Sequence, residues 1–162
     1  MKNTEAHPES ASGRLADYLE SHKDAITNDW VARVRKDALV PTDSMPNPEI
    51  IDHIPQIFGA ITQALRQHRS DAAMERVHET AARHTIVCWQ QHYDLQAVLR
   101  EIVILRTELL YHVSLFEEQH PDFGPGTRLF ASTTIHRILD EIVTEATGKF
   151  LKLAKGETGP NA

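Results

Sequence analysis

The sequence predicts an all-α protein, and three observations support this fold class. Apolar residues make up 41% of the 162-residue chain but aromatics only 6%, so aliphatic side chains must build most of the core. These side chains recur at steps of three and four residues, the spacing that lines one face of an α-helix. Short segments rich in Pro or Gly separate the apolar stripes. We therefore expect a bundle of four to five helices with a long C-terminal helix.

The bundle is predicted to span residues 14–155. A disordered tail over residues 1–13 precedes it, because that segment is polar and has no periodic stripe. Residues 156–162 are polar and contain Gly and Pro, which is typical of a tail or the start of a linker. The first helix begins near Arg14 and is expected to break near residues 21–23.

Prolines define the approach to the second helix. The segment VPTDSMPNP contains three prolines, which remove backbone donors and restrict the preceding residues, so it predicts a loop. The next apolar stripe runs from Ile50 to Leu65 and has Pro55 inside it. This proline requires either a kink or a helix that starts one turn late, and we favour the kink.

Three further helices follow. Asp71 is positioned to cap a helix over about residues 72–90, and Asp94 to cap another that ends near residue 118. The last helix, over about residues 127–155, has apolar side chains on two faces, which predicts a homodimer formed against a partner copy. Its heptad seam is Leu129, His136, Val143 and Phe150, each followed three residues later by Ser132, Leu139, Ala146 and Leu153, and its second stripe is Ile135, Ile138 and Ile142.

Charge and cysteine content narrow the function classes. Seventeen basic and 23 acidic residues give a net charge of -6, so the basic excess that binds nucleic acid or an anionic membrane is lacking. The single cysteine, Cys88, cannot form an internal disulfide, and no apolar run has the length of a membrane span or the pattern of a signal peptide. We therefore expect a cytoplasmic protein with no nucleic-acid partner and no membrane insertion.

Signatures of catalysis are absent from the sequence. It contains no GxxxxGK[ST], GxGxxG, GxSxG or HExxH motif and no paired CxxC. No nucleophile with a base, paired carboxylates or phosphate-binding loop can be assigned, so we expect that the protein is not an enzyme.

Three residues of the third long stripe form the strongest candidate site. His84, Cys88 and His92 follow one another at four-residue steps, so they rise along one side of a helix and could bind a metal ion or a haem iron. We favour the interpretation of His84 and Cys88 as core residues satisfied by their neighbours, in which case no cofactor is required. A third interpretation, a thiol sensor at Cys88, needs a lowered thiol pKa.

His136 is a second candidate, because it occupies an apolar position of the heptad seam. It could fix the register of helix packing, or it could face His84 across a cavity and form a ligand site with His84 and Cys88. Several other histidines lie near helix ends or off the stripes and are interpreted as surface residues: His22, His53, His68, His112 and His120.

Three segments together resemble a known family: ITNDWVARVR, IIDHIPQIFGAITQAL and HTIVCWQQHYDLQAVLREIVILRTELL. They resemble the RsbT co-antagonist (RsbRD-type) N-terminal domain, found at the N-terminus of stressosome regulators and bacterial sensor histidine kinases, over about residues 15–118. The chain departs from the family pattern at Cys88, where Arg is usual, and at His92, where Gly is usual. The residues that match the family motif are Trp30, Ile54, Pro55, His84, Asp94, Leu95, Val98, Leu99, Arg100, Glu101, Leu105 and Arg106.

The resemblance implies a non-catalytic signal-input domain. Such a domain would pass the binding of a small ligand or partner to a downstream kinase or regulator domain, and the two-faced last helix is the candidate for transmission. The sequence has neither a kinase core nor a STAS-like strand pattern after the bundle, so we expect a stand-alone regulator or an excised input domain. The alternative is a metal- or haem-binding bundle that uses His84 and Cys88 with His92 or His136.

Overall fold

The computed structural model describes residues 10–41, 46–66 and 71–156, and within these ranges the chain forms seven helices and no strand. This confirms the all-α bundle, and its last helix is also its longest, with 30 residues. The helices are α1 (Ala11–Ser21), α2 (Lys23–Lys36), α3 (Asn47–Ile51), α4 (Ile54–Leu65), α5 (Asp71–Gln90), α6 (Leu95–Gln119) and α7 (Pro125–Ala154).

The first apolar stripe forms two helices, α1 and α2, that meet at His22 as the sequence predicted. Helix α1 begins at Ala11, three residues before the predicted start, because the Ser10 side chain accepts a hydrogen bond from Gly13 N at 3.1 Å. This cap brings residues 11–13 out of the predicted tail and into the bundle. Residues 1–9 of that tail lie outside the described residues.

The second apolar stripe is divided rather than kinked, so the kink was the wrong alternative. Helix α3 ends at Ile51 and α4 begins at Ile54, with Pro55 in its first turn. At that position the missing proline N–H costs no helical hydrogen bond, because the first amides of a helix have no partner within it. The turn between the two helices consists of Asp52 and His53.

The remaining helices begin close to their predicted positions. Asp94 caps α6, since its Oδ1 accepts a hydrogen bond from Ala97 N at 2.7 Å. Asp71 is the first residue of α5, and the residues just before it lie outside the described part. After α7, Gly156 has a φ of +71°, the left-handed conformation in which helices commonly end. Of the predicted polar tail, residues 157–162 lie outside the description.

Helix α7 connects most of the bundle. It packs against α5, α6 and α4, while α1 packs against α4 and α2 against α6. The second apolar stripe of α7 (Ile135, Ile138 and Ile142) is buried inside the chain's own bundle. On the heptad seam, Leu129 is 69% exposed and Phe150 packs edge-on against Trp89, with ring centroids 5.0 Å apart. The exposed apolar surface of α7 is therefore confined to its ends.

No helix within the described ranges combines the length and apolarity needed to cross a lipid bilayer.

Candidate functional site

Polar side chains from three parts of the fold meet inside the bundle, and we call them the His84 cluster. His84 and Cys88 lie one turn apart on α5, Glu101 comes from α6, and Asp52 and His53 come from the turn between α3 and α4. The division of the second apolar stripe thus positions two members of the cluster. Four of the five residues are at most 5% exposed, and Asp52 is partly exposed.

The ring of His84 lies at the centre of the cluster. Its Nδ1 lies 3.1 Å from Asp52 Oδ1, and its Nε2 lies 3.0 Å from Glu101 Oε2. Cys88 Sγ approaches the same Nε2 at 3.4 Å. Both ring nitrogens of His84 are therefore engaged, one with a single carboxylate and the other with a carboxylate and a sulfur.

His53 forms the second half of the arrangement. Its Nδ1 lies 3.2 Å from the same oxygen of Asp52, and its ring centroid lies 4.0 Å from that of His84. One carboxylate oxygen thus accepts hydrogen bonds from two imidazole rings that pack against each other. The carboxylate of Asp52 fixes which nitrogen of each ring carries a hydrogen.

The pKa values of the two histidines are shifted in opposite directions. Burial lowers the pKa of His84, but its hydrogen bonds with Asp52, Cys88 and Glu101 outweigh burial, so that its pKa lies well above the ordinary value. Burial and the positive charge of His84 lower the pKa of His53. Burial also acts to raise the pKa of Asp52, but hydrogen bonds from both rings outweigh it and hold that pKa well below its usual range. Of the two rings, His84 therefore favours the protonated, charged form and His53 the neutral form.

Cys88 does not have the environment of a reactive thiol. Its side chain is fully buried, and burial raises the pKa of its thiol despite the opposing influence of His84. A redox-active cysteine needs a lowered pKa and access to solvent, so this site does not favour the thiol-sensor interpretation. The side chains of Asp52 and Glu101 and the ring of His53 pack closely around His84, so the site does not favour a group as large as a haem.

The structure brings together only part of the residue set proposed from sequence. His84 and Cys88 are adjacent, whereas His92 is exposed beyond the end of α5 and has a φ of 62°. His136 is half-buried on α7 and belongs to neither described group of metal-ligand atoms around His84. The described site therefore consists of His84 and Cys88 with carboxylates and a second histidine in place of His92 and His136.

Two histidines interpreted as surface residues are buried, and that interpretation was wrong. His53 is 5% exposed because the α3–α4 turn folds over α5, and His112 is 8% exposed because α1 covers it, with Tyr18 Oη 3.1 Å from its Nδ1. The one sequence feature that could have indicated a role for His53 is its position next to Asp52, just before α4. Periodicity along the stripe did not report it, because the residue lies in a turn.

The family-motif residues serve both structure and site. Pro55 lies in the first turn of α4, Asp94 caps α6, and Arg106 forms an ion pair with Asp140 of α7. Glu101 belongs to the His84 cluster. Trp30 supports it, because its indole Nε1 donates a hydrogen bond of 3.0 Å to the carbonyl oxygen of Glu101.

The fold and the cluster define a helical domain whose distinctive polar groups are enclosed within the bundle. The model of one family, described as RsbT co-antagonist protein rsbRD N-terminal domain, matches residues 24–152. The chain belongs to this family, which is one of regulatory, non-catalytic domains. No curated protein and no solved structure matches the chain.

Proposed function

We propose that this chain is a non-catalytic input domain of a bacterial signalling protein, in which the His84 cluster receives the input and α7 passes it on. The observation that carries this proposal is the position of α7 against both α5 and α6, the helices that hold His84 and Glu101. A change in the distance between these two residues moves one helix relative to the other. Because packed helices shift as rigid bodies, α7 must then move against one of them.

The proposed partner is a regulatory protein or an attached output domain. The family description names an RsbT co-antagonist, which supports a role in opposing a regulator of that kind. A downstream kinase domain is the other output that the family resemblance supports. The net charge of -6 favours neither nucleic acid nor an anionic membrane surface as partner, and we propose that the protein acts in the cytoplasm.

We also propose that the domain acts as a homodimer. The exposed apolar residues Leu129 and Phe130, 69% and 39% exposed at the start of α7, are the surface that a second copy would cover. A dimer formed there would connect α7 of one copy to α7 of the other.

Hydrogen exchange tests transmission from the cluster to α7. We expect Glu101→Gln to accelerate amide exchange along the face of α7 that packs on α5 and α6, because the substitution removes the charge that holds His84. Val34→Ala, a truncation of a fully buried residue on α2, serves as a control of comparable destabilisation. Equal exchange profiles of α7 in the two variants would contradict transmission through this helix.

A cellular measurement tests the regulatory role itself. Deleting the gene for this chain from its host is expected to change the transcript profile under stress. Glu101→Gln is also expected to change this profile, whereas Val34→Ala is not. An unchanged profile after deletion would contradict the proposed regulatory function, whatever α7 does in the purified protein.

A further inference from the structure

We propose that His84, Cys88 and Glu101 form a binding site for a divalent cation of the zinc class. One ligand atom of each residue, the imidazole nitrogen, the sulfur and a carboxylate oxygen, lies within 4.8 Å of the other two. Imidazole and thiolate are the ligands that zinc prefers, and a carboxylate completes many of its sites.

The distances between the ligand atoms are close to those of a tetrahedral zinc site. Zinc binds nitrogen and oxygen at about 2.0–2.2 Å and sulfur at about 2.3 Å, which puts neighbouring ligand atoms roughly 3.3–3.6 Å apart. In the His84 cluster, Nε2 lies 3.0 Å from Glu101 Oε2 and 3.4 Å from Cys88 Sγ. A separation of the side chains by a few tenths of an ångström would therefore admit the ion, and water would occupy the fourth position.

Glu101 supplies an independent reason to expect a cation. Its side chain is 1% exposed, yet its Oε1 has no hydrogen-bond partner among the described residues. Its Oε2 and the sulfur of Cys88 both approach the one hydrogen that His84 Nε2 can carry. Burying a carboxylate oxygen without a partner is costly, and a cation between the three side chains would satisfy all of them.

Asp52 orients His84 as a metal ligand requires. Its Oδ1 accepts the hydrogen of Nδ1 at 3.1 Å, which leaves Nε2 directed at Cys88 and Glu101. Metal-binding histidines commonly donate their second ring hydrogen to a carboxylate in this way, and that contact raises the basicity of the ligand. The side chain of Asp52 is 27% exposed, so the α3–α4 turn also offers the route by which an ion reaches the cluster.

Exchange of protons for the ion leaves the charge of the cluster unchanged. Binding of one divalent cation displaces the thiol proton of Cys88 and the Nε2 proton of His84, and both protons pass to solvent. Two positive charges thus leave as two arrive, and no new uncompensated charge is buried. The buried thiol, inert as a nucleophile, becomes a thiolate only as a ligand of the ion.

The role of this ion as an input signal rests on the proposed function. Its binding would change the separation of α5 and α6 at the point where α7 packs on them. Binding itself is measured without any regulatory readout. The metal site and the regulatory role can therefore be contradicted independently. Zinc can bind to a domain that does not signal, and α7 can respond to another input.

The test is a titration of the metal-free 162-residue protein with Zn²⁺ in competition with a chromophoric chelator, followed by Co²⁺ absorption. We expect one ion per chain and, with Co²⁺, the thiolate charge-transfer and tetrahedral ligand-field bands. Cys88→Ser is expected to abolish the charge-transfer band. Asp52→Asn is expected to weaken Zn²⁺ binding by about 10–100-fold, because it removes the negative charge that raises the basicity of His84, and Glu101→Gln by more than that.

His92→Asn and His136→Gln are the matched controls. His92 lies beyond the end of α5, away from the cluster, and Asn tolerates its left-handed backbone, so this variant is expected to fold and to bind Zn²⁺ as the unmodified protein does. Circular dichroism shows whether each variant keeps its helices. The proposal is overturned if the unmodified protein has no saturable site, or if Cys88→Ser and Glu101→Gln bind Zn²⁺ undiminished while folded.

Discussion

Trp30 is the residue that ties the His84 cluster to the helix behind it. It lies fully buried on α2, its indole donates to the backbone carbonyl of Glu101 at 3.0 Å, and its ring lies edge-on to that of His53, with centroids 5.7 Å apart. One side chain therefore holds the α6 backbone beside the cluster and also forms one of the walls around His53.

Replacing Trp30 by Phe is expected to lower the free energy of unfolding by about 2–3 kcal/mol, because a buried hydrogen bond is lost and a cavity remains where the larger ring was. Urea denaturation measures this change. Trp89→Phe is the control, because Trp89 is 37% exposed, and its expected cost is below about 1 kcal/mol. Equal losses in the two variants would contradict the role given to Trp30.

At the residue scale, periodicity located the two members of the cluster that lie on one helix face, His84 and Cys88. It extended the array to His92, but α5 ends at Gln90 and the backbone of His92 turns to a φ of 62°, which carries it away from that face. Asp52 and His53 lie in a turn, where no period applies. A glutamate within a helix normally indicates a solvated face, so the burial of Glu101 was not predictable from its stripe.

At the scale of elements, the contact between α1 and α6 contains a second buried histidine. His112 of α6 has its Nδ1 3.1 Å from Tyr18 Oη of α1, and His22 and Asp29 are the titratable groups that act on its pKa. Burial and the charge of His22 lower the pKa of His112, against the opposing effect of Asp29. The folded chain therefore favours the neutral form of His112 where α1 packs on α6.

This preference predicts how stability changes with pH. Because the pKa of His112 is lower in the folded chain than the ordinary value of about 6.5, its stabilising contribution is present above that value. The contribution is lost as the pH falls through the lower, folded-state pKa, because protonation then favours the unfolded chain.

We expect the free energy of unfolding to fall less between pH 7.5 and 5.5 in His112→Asn than in the unmodified protein. Asn keeps an acceptor for Tyr18 but does not titrate. The histidines of the His84 cluster titrate in both proteins, so their contribution cancels in the difference. Chemical denaturation at the two pH values measures it, and identical slopes would contradict the assignment to His112.

The existence of the helices and the division at His22 were predictable from the sequence, but the division before Pro55 was not. The side chain of Asp94 caps α6 as expected, because an Asp before an apolar stripe has one favourable local use. Pro55 allowed two outcomes of similar local cost, a kink or a new helix. The new helix is accompanied by the packing of Asp52 and His53 against α5. This contact joins distant parts of the sequence, so local pattern does not reveal it.

In the whole molecule, the two apolar faces of α7 show that an apolar stripe does not determine what covers it. Periodicity shows that a face is apolar but not whether its own chain or a second copy covers it. The structure packs Ile135, Ile138 and Ile142 within the bundle, and Arg137 and Asp140 lie on the exposed side. The apolar surface left for a partner is therefore smaller than the sequence indicated, and it lies at the two ends of the helix, with Leu129 its most exposed side chain.

We expect the unmodified protein to have the mass of a dimer by light scattering at micromolar concentration, and the double variant Leu129→Glu, Phe130→Glu to have that of a monomer. Burial of each of these side chains contributes roughly 1.5–3 kcal/mol, so placing charges there should raise the dissociation constant by at least about 100-fold. Val103→Glu, at a 47% exposed position of α6, is the control and should remain dimeric. A monomeric unmodified protein would contradict the dimer, whereas a monomer produced by Val103→Glu alone would move the interface from α7 to α6.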